Sequence, residues 1–143
     1  MSPELLQIIP VFTTVTMAFA TVAALAWGIW TYRRNGEIQT QLIALQTLQH
    51  YLDLAVAHPD LASAGEQQAR DARYAWFAAH ALVTAQTLWQ LVGRQPQWQR
   101  SVDAIVRQHH AYLRSGLFVC EDFSPAFVAH LRASVPELKC ASP

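Results

Sequence analysis

Six histidines, two cysteines and a few carboxylates are the residues of this chain whose types could carry chemistry: His50, His58, His80, His109, His110 and His130, then Cys120 and Cys140, then Glu121 and Asp122. A metal site would need two or more imidazoles on one helical face with a carboxylate or thiolate beside them, as in H-E-x-x-H, and that spacing is absent. His109 falls on an apolar stripe, where a hydrogen-bonded core histidine is expected, and His110 falls on the polar side of the same helix. Glu121 and Asp122 are neighbours in a loop, which is not the convergence that general acid and base work requires. Asp71 with Arg70 or Arg73 stands at a helix start, where capping and dipole roles are expected. There is no G-x-S-x-G and no glycine loop to cradle a phosphate. No catalytic, cofactor-binding or metal-ligating residue is assigned, no cofactor is expected, and the chain is read as a non-enzyme.

The two cysteines are too few for a disulfide framework and do not form C-x-x-C. On the cytoplasmic side they are expected to be reduced, inert thiols; on the other side they could pair, so their redox state tests the topology.

The element that would position everything else is Val11–Trp30, twenty residues without a charge. At 1.5 Å per residue this makes a helix of roughly 30 Å, the hydrocarbon thickness of a bilayer. Trp27, Trp30 and Tyr32 cluster at its end, followed at once by Arg33 and Arg34, as expected of interface anchors. The other flank carries no Lys or Arg, so the positive-inside bias predicts an outside N-terminus and a cytoplasmic body. Ala24-Leu25-Ala26 resembles a signal-peptide cleavage site, but the basic segment that should precede it is missing. Thr16, Ala20, Ala24 and Gly28 recur every four residues and line small side chains on one stripe, a face that another membrane helix could approach closely.

Composition bounds the rest. The chain has 143 residues, ten basic and ten acidic, with 14% charged against a usual quarter. That excludes a nucleic-acid binder built on a basic tract. The low charge suggests that part of the surface is covered by lipid or by another subunit.

The expected organisation is all-α: a transmembrane anchor over residues 1–34, a cytoplasmic bundle of about four helices over 35–135, and a tail over 136–143. Gly36 is expected to bend the chain between the span and a second helix over Glu37–His58. In that helix Ile38, Leu42, Leu45, Gln49, Leu52 and Val56 follow steps of four and three, the spacing of a coiled-coil seam; packing of this helix on its own domain is the plainer alternative. His58 before Pro59 should end it. A long central helix over about Glu66–Val92 follows, with Tyr74, Phe77, Ala78, Ala81, Leu82, Ala85, Leu88, Trp89 and Val92 inward and Trp76, Ala79 and Val83 as a second, weaker face. His80, Thr84, Gln86, Thr87 and Gln90 would lack partners in lipid, which argues against a second span. Gly93 is expected as a left-handed cap. Pro96 opens a helix with Trp98, Val102, Ile105, Val106, His109, Tyr112 and Leu113 on one stripe, Asp103 and Arg107 as an i, i+4 pair, and Gly116 at its end. Ser124-Pro125 begins the last helix, which runs to about Ser134.

The His58-Pro59-Asp60-Leu61 turn, the aromatic central helix, Trp98 near the next helix start and the Asp-Phe-Ser-Pro-x-Phe stretch at Asp122–Phe127 together resemble a group of uncharacterised bacterial membrane-anchored helical proteins. The resemblance implies a single-pass protein of the bacterial inner (plasma) membrane and brings no activity with it. The function expected is a non-catalytic accessory or scaffolding subunit of a larger membrane complex. Its partners would be the lipid bilayer and other membrane subunits, or further copies of itself, and not nucleic acid. A homo-oligomeric membrane effector or receptor whose helical domain senses a ligand is the alternative.

Overall fold

A computed structural model describes the backbone of residues 3–62, 71–93 and 95–141, and the side chains of these from Thr16 onward. Six α-helices are formed among them: α1 (Pro3–Ala57), α2 (Pro59–Ala62), α3 (Ala72–Val92), α4 (Pro96–Gln108), α5 (His110–Arg114) and α6 (Pro125–Ser134), with a 3-10 turn at Cys120–Asp122. Among the described residues there is no strand, only an isolated bridge between Phe118 and Cys140. The all-helical class follows from the sequence periodicity, although α2 and α5 are a single turn each.

The chain divides into two compact units, 1–39 and 40–143. In the first, α1 is a bare helix whose described side chains are exposed almost throughout. Among the described residues no helix is long and apolar enough to cross a membrane. The expected span starts at Val11, and the side chains of Val11–Val15 lie outside the described residues. Gly36 does not break the helix: α1 continues through it without interruption.

In the second unit the core gathers on α3, where Tyr74, Phe77, Ala78, Ala81, Leu82, Ala85, Leu88 and Val92 are buried. α3 packs chiefly on α4, α2 lies on α3, and α6 lies on α4. From α1 the core takes Ala44 and Tyr51, with Leu48, Leu54 and Ala55 partly buried beside them. This inward stripe is not the seam of Leu42, Leu45, Gln49, Leu52 and Val56, all of which are exposed. A small Ala44 lets α1 approach closely, and the Tyr51 hydroxyl finds a buried partner, so that face is the one turned in.

The helix boundaries have local causes. α1 ends at Ala57 because Pro59 forces His58 out of the α region. Asp71 caps α3, its carboxylate accepting the Arg73 N–H at 2.8 Å. Pro96 and Pro125 occupy first helical positions, where the missing N–H costs nothing. Gly93 is not left-handed but αR, with φ −62° and ψ −11°, and its N–H still closes on the Trp89 carbonyl. The helix expected to run to Gly116 is interrupted at His109, whose φ of −106° and ψ of 22° leave the helical region and separate α4 from α5. Gly116 itself has φ +80° and turns the chain out of α5.

Of the expected tail over 136–143, the described residues 136–141 are tied down. The Lys139 N–H bonds the Leu113 carbonyl at 3.0 Å, the Ala141 N–H bonds the Phe118 carbonyl at 2.7 Å, and Glu137 pairs with Arg114 at 2.7 Å. Cys140 is joined to Cys120 in a disulfide with a Cα–Cα separation of 5.4 Å, in place of the expected free thiols.

Candidate functional site

The histidines resolve into separate environments. His109 is fully buried, with Nε2 at 3.1 Å from the Tyr51 hydroxyl and Nδ1 at 3.3 Å from the Tyr74 hydroxyl. Burial lowers its pKa from 6.5 to about 4, and the same cause raises both tyrosines above their ordinary value, with the facing Tyr74 adding to the rise at Tyr51. A neutral imidazole offers one donor and one acceptor, which matches two hydroxyls. The cluster pins α1, α3 and the α4–α5 junction together. Tyr112, nearby in the sequence, is raised as well by burial and by Asp122, and its hydroxyl donates to the Leu117 carbonyl at 3.4 Å.

His130 donates through Nε2 to Asp103 at 3.0 Å and stacks on Trp89 with ring centroids 4.1 Å apart. Asp103 therefore serves α6 and does not form the expected pair with Arg107. His50 on α1 and His80 on α3 meet edge to face at 5.7 Å, in a groove of about 360 Å³ with Gln46, Thr47, Val83, Thr84 and Thr87. His110 turns Nδ1 to the Arg107 carbonyl at 2.9 Å, and His58 lies 3.4 Å from Arg73, which also meets Asp60 at 3.8 Å. Among the described residues no group of three or more His, Cys, Asp or Glu is placed to hold a metal.

Two larger clefts are formed by described residues. One, of about 630 Å³ at the α3–α4 corner, is lined by Trp89, Gln90, Leu91, Val92, Gly93, Gln95, Gln99, Ser124 and Ala126, with no titratable side chain among them. The other, of about 480 Å³, has Arg107, His110, Arg114 and Glu137 around Ser134, Val135 and Pro136. The first lacks a base to activate Ser124, and the second offers cationic groups partly neutralised by the Arg114–Glu137 pair.

The apolar surfaces are more distinctive than the clefts. Thr16, Ala20, Ala24 and Gly28 are exposed, and a Cβ added at Gly28 would meet no atom of this chain within 4 Å. At the expected membrane interface, Trp27 and Trp30 pack with centroids 5.2 Å apart and the Arg34 guanidinium lies 5.3 Å over the Trp30 ring. Tyr32 and Arg33 point outward beside them. On α3 the second face is open at Trp76, 80% exposed, and at Val83, whereas Ala79 is partly buried against the core. On α1, Ile38, Leu42, Leu45 and Leu52 are each about half exposed and Val56 is 80% exposed, while the opposite side of the same turns enters the core. The sequence pattern marked the outward stripe but not the inward one, because Ala44, Leu48, Tyr51 and Ala55 mix residue sizes and one polar tip. Compared with protein-family models, curated proteins and solved structures, the chain has no match.

Proposed function

We propose that this chain is a non-catalytic accessory or scaffolding subunit, anchored in a bilayer through Val11–Trp30 and holding its helical body against a larger membrane complex. The observation that carries this reading is the outward exposure of Met17, Phe19, Val22, Leu25, Trp27 and Ile29 along one solitary helix. A lone helix draws little stability from propensity, and contiguous apolar surface on this scale calls for lipid or protein around it. The Trp27, Trp30, Tyr32, Arg33 and Arg34 belt fits the headgroup region. Thr16, Ala20, Ala24 and Gly28 offer a neighbouring helix a close approach. Fractionation tests the anchor: the chain is expected to stay with membranes after an alkaline wash, and recovery of the intact chain in the supernatant would overturn the reading. Copurification from native membranes in mild detergent, followed by mass spectrometry, is expected to return other membrane subunits in fixed ratio.

A second reading, a homo-oligomeric effector, is favoured by the exposed four-three stripe on α1. Sidedness has two opposed supports: Arg33 and Arg34 favour a cytoplasmic body, whereas the Cys120–Cys140 disulfide favours an oxidising compartment. Alkylation in intact cells separates them, because a cytoplasmic body yields two reactive thiols and a body on the other side yields none until it is reduced.

A further inference from the structure

We infer that the outward stripe of α1 is covered by the same stripe of a second copy of this chain, in a parallel, in-register two-stranded coil. The inference rests on the anchored reading above and names the partner for this one face.

Within residues 40–57, α1 carries two apolar faces. Ala44 and Tyr51 are spent on the chain's own core, so Leu42, Leu45, Leu52 and Val56 remain for something else. Their spacing, with Ile38 and Gln49, alternates steps of four and three, a period of 3.5 that keeps a seam facing one partner helix; packing on a globular body needs only the looser 3.6. Continuing the same count toward the N-terminus meets Asn35, Thr31, Gly28, Ala24, Thr21 and Met17 in an unbroken helix. Thr21 and Thr31 donate their hydroxyls to the Met17 and Trp27 carbonyls at 2.9 and 2.8 Å, which satisfies those groups within their own helix.

The two amides on the stripe point to a like copy. Asn35 and Gln49 fall at equivalent positions two heptads apart, and a carboxamide both donates and accepts, so each meets its own counterpart when identical helices run parallel and in register. A different partner would have to supply two matched polar groups at that same separation. Between Ile38 and Val56 the flanking positions Gln39, Gln41 and Gln46 are uncharged and Asp53 is the one acid beside the seam, so identical copies meet little repulsion there; Arg34 flanks Asn35, with its guanidinium 5.3 Å over the Trp30 ring of its own helix. The five aliphatic side chains from Ile38 to Val56 leave roughly 80 Å² open on each, about 400 Å² per copy, near half of what a standard free interface buries. The small-residue continuation adds contact beyond that area, and anchoring in a bilayer keeps both copies parallel and raises their local concentration.

Single cysteines placed in the full chain in native membranes test this, with the parent chain as blank. Leu45→Cys, Gln49→Cys and Leu52→Cys are expected to give disulfide-linked dimers under mild oxidation, while Ile43→Cys and His50→Cys, exposed on another side of α1, give at least ten-fold less. Adding Gln49→Lys should lower the Leu45→Cys yield at least ten-fold, and Gln49→Asn should keep it; residue 49 is outside the core, so the body folds in both. Equal yields at all five positions, no dimer at the stripe, or a cross-link from the stripe to a different polypeptide would each overturn the pairing. Fractionation is read separately: membrane retention without stripe dimers removes the pairing and leaves the anchor, and stripe dimers formed by a chain found in the soluble fraction remove the anchor and leave the pairing.

Discussion

Acidification acts on one buried base. His109 has no exposed surface, sits against Tyr51, Tyr74 and Phe77, and titrates at about 4 because burial disfavours its charged form. Desolvation is the dominant cause. The folded-state value lies below the unfolded value of about 6.5, so the stabilisation is complete above about pH 6.5 and is lost as pH falls toward 4. That interval corresponds to about 3 kcal/mol at about 1.4 kcal/mol per pH unit. The assay is equilibrium urea unfolding of the full chain in mild detergent, followed by tryptophan fluorescence, from about pH 7.5 down to about pH 4. His109→Gln is the comparison, because its amide keeps a donor and an acceptor for the two hydroxyls but does not titrate. The variant is expected to be less stable at neutral pH and to lose about 3 kcal/mol less across this window. Parallel pH profiles for the two proteins would refute the assignment of the buried histidine as the titrating group.

Further outcomes follow from single features. Reducing the Cys120–Cys140 bridge, or replacing both residues with Ser, opens a loop of sequence separation 20 and should cost about 3 kcal/mol, read as a lower urea midpoint. Leu88→Ala, at a site with no exposed surface on α3, should cost about 3 kcal/mol, whereas Trp76→Ala on the open face should leave the midpoint nearly unchanged in the isolated chain. Asp71→Ala removes the acceptor for the Arg73 N–H at the start of α3 and should cost about 1 kcal/mol; Asp71→Ser should recover most of it.

Much of this architecture is written in short stretches of sequence. Pro59 stops α1, Pro96 and Pro125 open α4 and α6, Asp71 caps α3, and the i, i+3, i+4 pattern from Tyr74 to Val92 selects the buried face of α3. Each depends on a few adjacent residues and on helix geometry, so no distant contact is needed to read it. The placement of His109 in the core was legible for the same reason, from its position on an apolar stripe.

What only the tertiary structure decided involves partners far apart in the chain. Local pattern favoured the Leu stripe of α1, but Tyr51 finds His109 across 58 residues and Ala44 admits close packing, so the less regular stripe turns inward. Cys120 meets Cys140 where Phe118 bridges to Cys140, and Asp103 takes His130 on α6 in preference to Arg107 one turn away. Periodicity shows that a helix has an apolar face; with two such faces on one helix, the choice belongs to whichever neighbour satisfies both the volume and the polar atoms.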